Sequence, residues 1–168
     1  MPLNQHWVNQ MIKRIFDLII TIPLLLVALP FFILIALLIK LTSNGPVFYL
    51  QLRVGFNNTD FKIYKFRTMQ LNADKAGLLT VGGRDPRVTS IGYFLRKYKL
   101  DELPQLLNVL FGSMSLVGPR PEVRKYVDLY NAEQQKVLSV KPGITDYASI
   151  EYSEENELLA KSKDPEKT

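Results

Sequence analysis

A mixed α+β fold with a membrane-embedded N-terminal segment is what the 168-residue sequence predicts, on three observations. An uncharged run of 22 residues, LIITIPLLLVALPFFILIALLI, extends from Leu18 to Ile39. A β-rich stretch follows, split by FNNTD, and beyond it leucines recur at helical spacing. As straight helix the apolar run would rise about 33 Å, enough to cross a hydrocarbon core. It is longer than the roughly 7–15 apolar residues of a cleavable signal and no small-x-small site follows it, so it is expected to stay in the mature protein.

Basic residues flank the run on both sides, Lys13 and Arg14 before it, and Lys40, Arg53, Lys62, Lys65 and Arg67 after it. The positive-inside rule therefore sends neither end to the far face. Pro30, near the middle, removes a backbone donor and bends the helix, and Pro23 adds a second disturbance. These residues alone fit equally a kinked single-pass helix and a hairpin that enters and leaves by one face. Asp17, just inside the first turns, reads as an interfacial cap or a partner of Lys13 or Arg14. Residues 1–40 are thus the membrane segment and 41–168 a separate domain.

In that domain Gly45-Pro46 makes a turn into a strand, and FNNTD separates it from a second strand over FKIYKF, which predicts a hairpin. Residues 70–87, with Gly77, Gly82, Gly83 and Pro86, read as a loop over a site. Thr89 or Ser90 caps a helix through IGYFLRKYKL. A second helix opens at DELPQLLNVLFG, with Asp101 and Glu102 in its first turn, Pro104 in an early tolerated position and Gly112 as its stop. Leu103, Leu106, Leu107 and Leu110 fall on one face of it, with Gln105 and Asn108 away from that face. Residues 122–138 read as helix, Pro142-Gly143 as a break, and 153–161 as a final acidic helix.

Composition narrows the chemistry. There is no cysteine, which removes disulfides, thiolate catalysis and Cys-ligated metals, and the lone His6 leaves no histidine-based triad. Residues 1–125 carry 16 Lys and Arg against 7 Asp and Glu, whereas 126–168 carry 5 against 9, so an anionic partner belongs to the first part. Asp101-Glu102, read alone, is a pair of helix caps favoured by the macrodipole. With Arg96 five residues earlier, Arg120 held between Pro119 and Pro121, and Lys65 and Arg67 in another short motif, acids and cations converge instead on one interfacial site. A phosphoryl group needs that mixture: cations or a divalent ion for its oxygens, and a carboxylate to bind the ion or attack phosphorus.

Several motifs in order, KRIFDL at 13–18, the apolar run with Pro30, KIYKFRTM at 62–69, KLDELPQLLNVLFGSMSLVGPRP at 99–121 and KPGIT at 141–145, span 133 residues. On these the chain resembles the small monotopic polyprenyl-phosphate phosphoglycosyl transferases, a group of bacterial sugar transferases. The resemblance implies a re-entrant N-terminal helix bent at Pro30 and a small catalytic domain at the cytoplasmic face of the inner membrane. It implies transfer of a phosphosugar from a UDP-sugar to undecaprenyl phosphate, with Mg2+, as the first membrane step of a surface glycan such as exopolysaccharide or lipopolysaccharide. Asp101 would be the nucleophile, Asp101 and Glu102 the Mg2+ ligands, and Lys65, Arg67, Arg96, Pro119, Arg120 and Pro121 the substrate-binding set. No nucleic acid enters this scheme; a homo-oligomer or contact with other glycan-assembly enzymes fits it.

Some positions depart from the family pattern. Leu29 precedes Pro30 where relatives often have a small polar residue, and Asp146-Tyr147-Ala148 follows KPGIT where many have a Gly-Trp-Ala type sequence, a difference expected to mark another sugar preference. Relatives usually carry further interfacial helices beyond the position of Thr168, so 41–168 reads as a catalytic domain that is short at its C-terminus. The absence of a long N-terminal extension leans toward an N-acetylated amino sugar. Two other classes compete: a membrane-anchored basic module that binds anionic lipid or nucleic acid without catalysis, and a single-pass regulator. The first gives Asp101-Glu102 no reason to stand near Gly118-Pro119-Arg120-Pro121, and the second requires the two ends of the apolar segment to face opposite sides of the membrane; lysines or arginines such as Lys65 and Arg67 have an alternative role at an anionic bilayer surface.

Overall fold

The computed structural model describes residues 5–71, 73 and 85–146. Most of the expected 70–87 loop and the whole expected helix over 153–161 lie outside these residues. Within them the fold is mixed α and β, as the sequence predicts, with one long apolar helix at the N-terminus.

That helix, α1, runs Gln5–Thr42 through both Pro23 and Pro30. Among its less exposed positions, Arg14, Asp17, Thr21, Leu25, Ala28, Phe32, Ile35 and Ile39 recur every three or four residues and form one stripe turned toward the rest of the protein. The remaining faces are apolar and open: Ile19, Leu26 and Val27 are 65–68% exposed. With a mean hydropathy of 3.0 in its most apolar stretch and little of that stretch buried, α1 presents the kind of surface that a bilayer covers.

Two antiparallel strands follow, β1 (Phe48–Val54) and β2 (Asp60–Phe66), in the register Phe48↔Phe66 to Val54↔Asp60. Asn57 and Asn58 take positive φ in the connection, a conformation asparagine tolerates better than most residues. The hairpin has a core on each face. Phe66 packs with Ile35 and Ile39 of α1 and with Leu95, and its ring meets Phe32 edge-on at 5.2 Å. On the opposite face Ile63 packs with Val109 and Met114.

Helix α2 (Ser90–Lys97) begins where the sequence places it, the Thr89 hydroxyl accepting from Gly92 N. The next helix differs from expectation. Leu100–Glu102 is a separate 3-10 turn, and α3 is only Gln105–Phe111, ended by Gly112 at φ 86°. Asp101 and Glu102 therefore stand before α3 and not in its first turn. Gln105 and Asn108, placed by spacing away from the leucine face, are buried. Asn108 runs along the outer edge of β2: its amide donates to Lys62 O at 2.7 Å and its carbonyl accepts from Tyr64 N at 2.9 Å, as a third strand would. Edge pairing of this kind outweighs the leucine spacing in deciding which side of α3 turns inward.

The expected helix over 122–138 is also broken, into α4 (Arg124–Val127) and a 3-10 turn over Gln134–Ser139. Asn131 causes the break. Its side chain accepts from Glu133 N and Gln134 N while Gln134 Oε1 accepts from Asn131 N, a reciprocal cap that starts a new turn. Between these elements, β3 (Ser115–Val117) pairs in parallel with β4 (Gly143–Thr145).

The β3–β4 pairing holds the Pro119-Arg120-Pro121 segment. Gly118 N donates to Thr145 O, Gly143 N to Pro119 O, and Arg120 N to the Asp146 carboxylate at 3.2 Å. The two backbones come so close that a Cβ on Gly143 would lie 2.1 Å from Gly118 N and 2.5 Å from Gly118 O. Backbone cannot rotate away as a side chain does, so Gly143→Ala is expected to cost about 2 kcal/mol of stability, within the range for overpacking. Chemical denaturation in detergent checks this, and a loss under about 0.5 kcal/mol would mean that the two segments separate freely.

Candidate active site

Lys99 sets the direction of the acidic pair. It takes a left-handed conformation, φ 54°, between the end of α2 and the 3-10 turn, and Glu102 N closes the turn onto Lys99 O at 3.3 Å. The carboxylates of Asp101 and Glu102 are thereby turned inward beside β2. Lys65 lies on the hairpin face that carries Ile63, and its Nζ donates to Glu102 Oε1 at 2.7 Å. Behind Asp101, Arg96 of α2 is fixed by its Nε on Thr68 Oγ1 at 3.0 Å.

The electrostatics separate the two acids. Burial raises the pKa of Asp101, the charge of Glu102 adds to that, and Lys65 and Arg96 work against it. Glu102 is equally buried, yet Lys65, by charge and hydrogen bond, with Arg120 and Lys99, carries its pKa below the ordinary value. One carboxyl is thus held firmly ionised while its neighbour carries an unfavourable charge, a contrast common where two carboxylates do different work.

Five of the residues singled out from the sequence therefore share one neighbourhood: Lys65, Arg96, Asp101, Glu102 and Arg120. Pro119 and Pro121 hold the backbone on either side of Arg120; Pro121 is buried and its carbonyl accepts from Arg53 Nη1 at 3.2 Å. Arg67 contributes differently. Its side chain is buried, and it donates to the Ser43 carbonyl at 3.0 Å, to the Ser43 hydroxyl at 2.7 Å and to Asn44 O, which fastens the exit of α1 to the end of β2.

Three further residues belong to the neighbourhood and were not singled out for it. Arg53, cross-strand from Phe61, lies within reach of Glu122 at 3.6 Å and within electrostatic range of Glu102 and Arg120. Arg87 grips Asp85 through Nε and Nη2 and holds that carboxyl down to about 2, leaving a fixed negative charge near Arg96. The hairpin register would have pointed to Arg53, since cross-strand partners share a face. Nothing local marks Asp85.

Among the described residues no three acidic or histidine side chains converge. Adjacent Asp101 and Glu102 offer hard oxygen donors of the kind Mg2+ uses in ones and twos, with phosphates and water completing its shell. The left-handed Lys99 makes a stability prediction. Lys99→Gly is expected to stabilise the fold by up to about 1 kcal/mol while loosening the acidic turn. Thermal unfolding reads the first effect, and an unchanged or lower midpoint counts against strain at this residue.

The comparisons with known proteins converge. The profile of the family described as bacterial sugar transferase matches residues 8–164. The UDP-N-acetylgalactosamine-undecaprenyl-phosphate N-acetylgalactosaminephosphotransferase of Aeromonas hydrophila is 44% identical over 142 residues, 83% of this chain and 34% of that protein. The UDP-glucose:undecaprenyl-phosphate glucose-1-phosphate transferase of Klebsiella pneumoniae is 41% identical over 152 residues, 89% of this chain and 32% of that one. A shorter relative, the exopolysaccharide production protein PSS of Rhizobium leguminosarum bv. phaseoli, is 50% identical over 146 residues, 83% of this chain and 73% of its own. The chain spans about a third of the length of the first two.

Proposed function

Because the chain belongs to the bacterial sugar transferase family, we propose that it moves a sugar phosphate from a UDP-sugar to undecaprenyl phosphate, at the cytoplasmic face of the inner membrane. The observation that carries the reading is the half-buried Asp101-Glu102 turn, with Lys65 on Glu102 and Arg96 and Arg120 around it. Cations on several sides suit a diphosphate, and the raised pKa of Asp101 marks a carboxylate that gains by losing its charge to a covalent bond.

In the proposed reaction an Asp101 carboxylate oxygen attacks the β-phosphorus of the donor. The bond from that phosphorus to the α–β bridging oxygen breaks, and UMP leaves with the electron pair. A phosphate oxygen of undecaprenyl phosphate then attacks the same phosphorus, and Asp101 departs as a carboxylate. Arg96 and Arg120 bind phosphate oxygens through their forked donors, and Pro119 and Pro121 keep Arg120 in place. Lys65 keeps Glu102 ionised. Asp101 and Glu102 would be the protein ligands of Mg2+, which supplies charge neutralisation on the phosphates when bound. Arg67 secures α1 and does not touch substrate in this scheme.

Such a reaction needs a soluble donor and a lipid acceptor to meet at one surface. A re-entrant course of α1, bent near Pro30, meets that need, and both ends of the helix touching the same domain support it: Arg14 Nη2 donates to Leu110 O at 2.8 Å, while Ile35 and Ile39 pack against Phe66. A simple spanning helix would carry one of these ends to the far side.

Intact-mass measurement of the protein in nanodiscs, with Mg2+ and a panel of UDP-sugars but no acceptor, tests the reading. A sugar-phosphate increment with stoichiometric UMP identifies the donor and the first half-reaction. No increment and no UMP with any donor, alone or with undecaprenyl phosphate added, would overturn it.

A further inference from the structure

We propose that Thr68 is a positioning residue for phosphate binding: its hydroxyl, by holding Nε of Arg96, leaves the two terminal nitrogens of that guanidinium aimed at the phosphates of the nucleotide donor. This role rests on the reading above, in which Arg96 binds phosphate, and supplies the group that gives Arg96 its direction.

Thr68 is fixed from several sides. Just before it, Phe66 packs on Ile35 and Ile39 of α1, and Arg67 N donates to Val47 O at 2.8 Å. The Thr68 carbonyl accepts from Thr89 N at 2.9 Å and from the Thr89 hydroxyl at 3.2 Å. The first turn of α2 lies directly on that carbonyl, since a Cβ on Gly92 would fall 2.0 Å from Thr68 O, a separation that only glycine permits. Arg96 stands four residues beyond Gly92 and hence on the same face of α2, which brings its Nε to Thr68 Oγ1 at 3.0 Å. Thr68 is 6% exposed, so little water competes for its hydroxyl.

A guanidinium grips a phosphate either side-on, through Nε and one Nη, or end-on, through both Nη. With Nε taken by Thr68, the end-on fork is what remains. Neither Nη of Arg96 has an acceptor among the described residues. The acids nearby do not close the fork. Of the charges around Arg96, Asp101 pulls on it most strongly, yet the two form no ion pair. Asp85, the other acid in range, is engaged by Arg87 through both carboxylate oxygens. The fork therefore stands open beside the carboxylate that attacks phosphorus in the scheme above. Thr68 also lies three residues after Lys65 in KIYKFRTM, so one short segment sets both Lys65 on Glu102 and Arg96 beside Asp101.

UDP, the part common to all UDP-sugar donors, is the probe, titrated with Mg2+ into the protein held in nanodiscs. Thr68→Val, nearly isosteric, and Thr68→Ala should each weaken UDP binding about tenfold, the scale of one hydrogen bond to a charged group, whereas Thr68→Ser keeps the acceptor and should stay within about threefold of the parent. Arg96→Ala should weaken UDP at least as much, and Thr68→Val added to it should cost nothing further, because the lost hydroxyl acts only through that guanidinium. A hydroxyl that served the fold alone would lower the thermal midpoint and leave the UDP affinity of the folded protein untouched. A folded Val or Ala variant that binds UDP within about twofold of the parent overturns the proposal, and so do losses at Thr68 and Arg96 that multiply. The two readings fail separately. A parent that binds UDP with this coupling but forms no adduct with any UDP-sugar overturns the transfer chemistry and supports the role of Thr68, whereas a parent that binds no UDP overturns both.

Discussion

Asp101→Asn is expected to lower turnover on the order of 10^4-fold or more and to erase the covalent adduct, while leaving the thermal midpoint unchanged or raised. The size of the loss is that seen when the attacking group itself is removed from an enzyme. The gain in stability follows from the raised pKa. A carboxyl that holds its proton more tightly when folded loses folding free energy as pH rises above its unfolded value of 3.8, so at neutral pH the ionised Asp101 weighs against the fold. An uncharged isostere removes that weight. The parent's first half-reaction should also rise with pH through a midpoint above 3.8, because only the ionised form attacks. Rapid-quench measurement of UMP release reads the rate, and calorimetry reads the midpoint. An Asn variant that still forms the adduct would assign the nucleophile elsewhere. Glu102 carries the opposite sign: its lowered pKa contributes stability above 4.5 that is lost as the solution is acidified through the folded value.

The second large effect lies at the other end of α3. Asp17→Ala leaves the Ser115 hydroxyl and Leu116 N without their buried acceptor and takes the nearby negative charge from Lys13, and a loss of about 2–4 kcal/mol is expected. Ser115→Ala alone removes a donor and leaves Leu116 N paired, so it should cost less. The two together should cost less than their sum, because the bond they share is lost only once. Denaturation of all four proteins in one detergent gives the cycle. Strictly additive losses, or an Asp17→Ala cost under about 1 kcal/mol, would mean that Asp17 does not clasp α1 to the domain.

Local signals in the sequence located most elements, and distant ones decided the rest. FNNTD marks the hairpin connection, Thr89 the start of α2 and Gly112 the end of α3, because each acts on its own backbone within a few residues. The Asn131-x-x-Gln134 cap was equally local, but no Gly or Pro between Glu122 and Leu138 marks a break there. Asn108 was misplaced because its partners, Lys62 and Tyr64, lie 44–46 residues upstream, where helical spacing carries no information. The same limit applies to KRIFDL. Lys13 and Arg14 look like topological flanks and Asp17 like a local cap, whereas each bonds to residues 95–104 positions later, on α3 or β3. The acidic pair was legible as a pair. That it sits in a 3-10 turn was not, because the turn depends on Lys99 adopting a left-handed backbone that its side chain does not favour.

The clasp around Asp17 also imposes an order on biogenesis. Its two partners are Ser115 and Leu116, 98 and 99 residues further along the chain. At bacterial or slower synthesis rates of about 5–20 residues per second, roughly 5–20 seconds separate translation of the carboxylate from that of its acceptor-hungry neighbours. Throughout that interval an ionisable group waits at the edge of an otherwise apolar segment with nothing from the domain to hold it. The segment is then free to shift in depth or withdraw, and its final seat is set only when β3 has been made and docks. Ribosome-stalled chains ending before and after Leu116 should accordingly differ in how easily α1 is extracted from the bilayer.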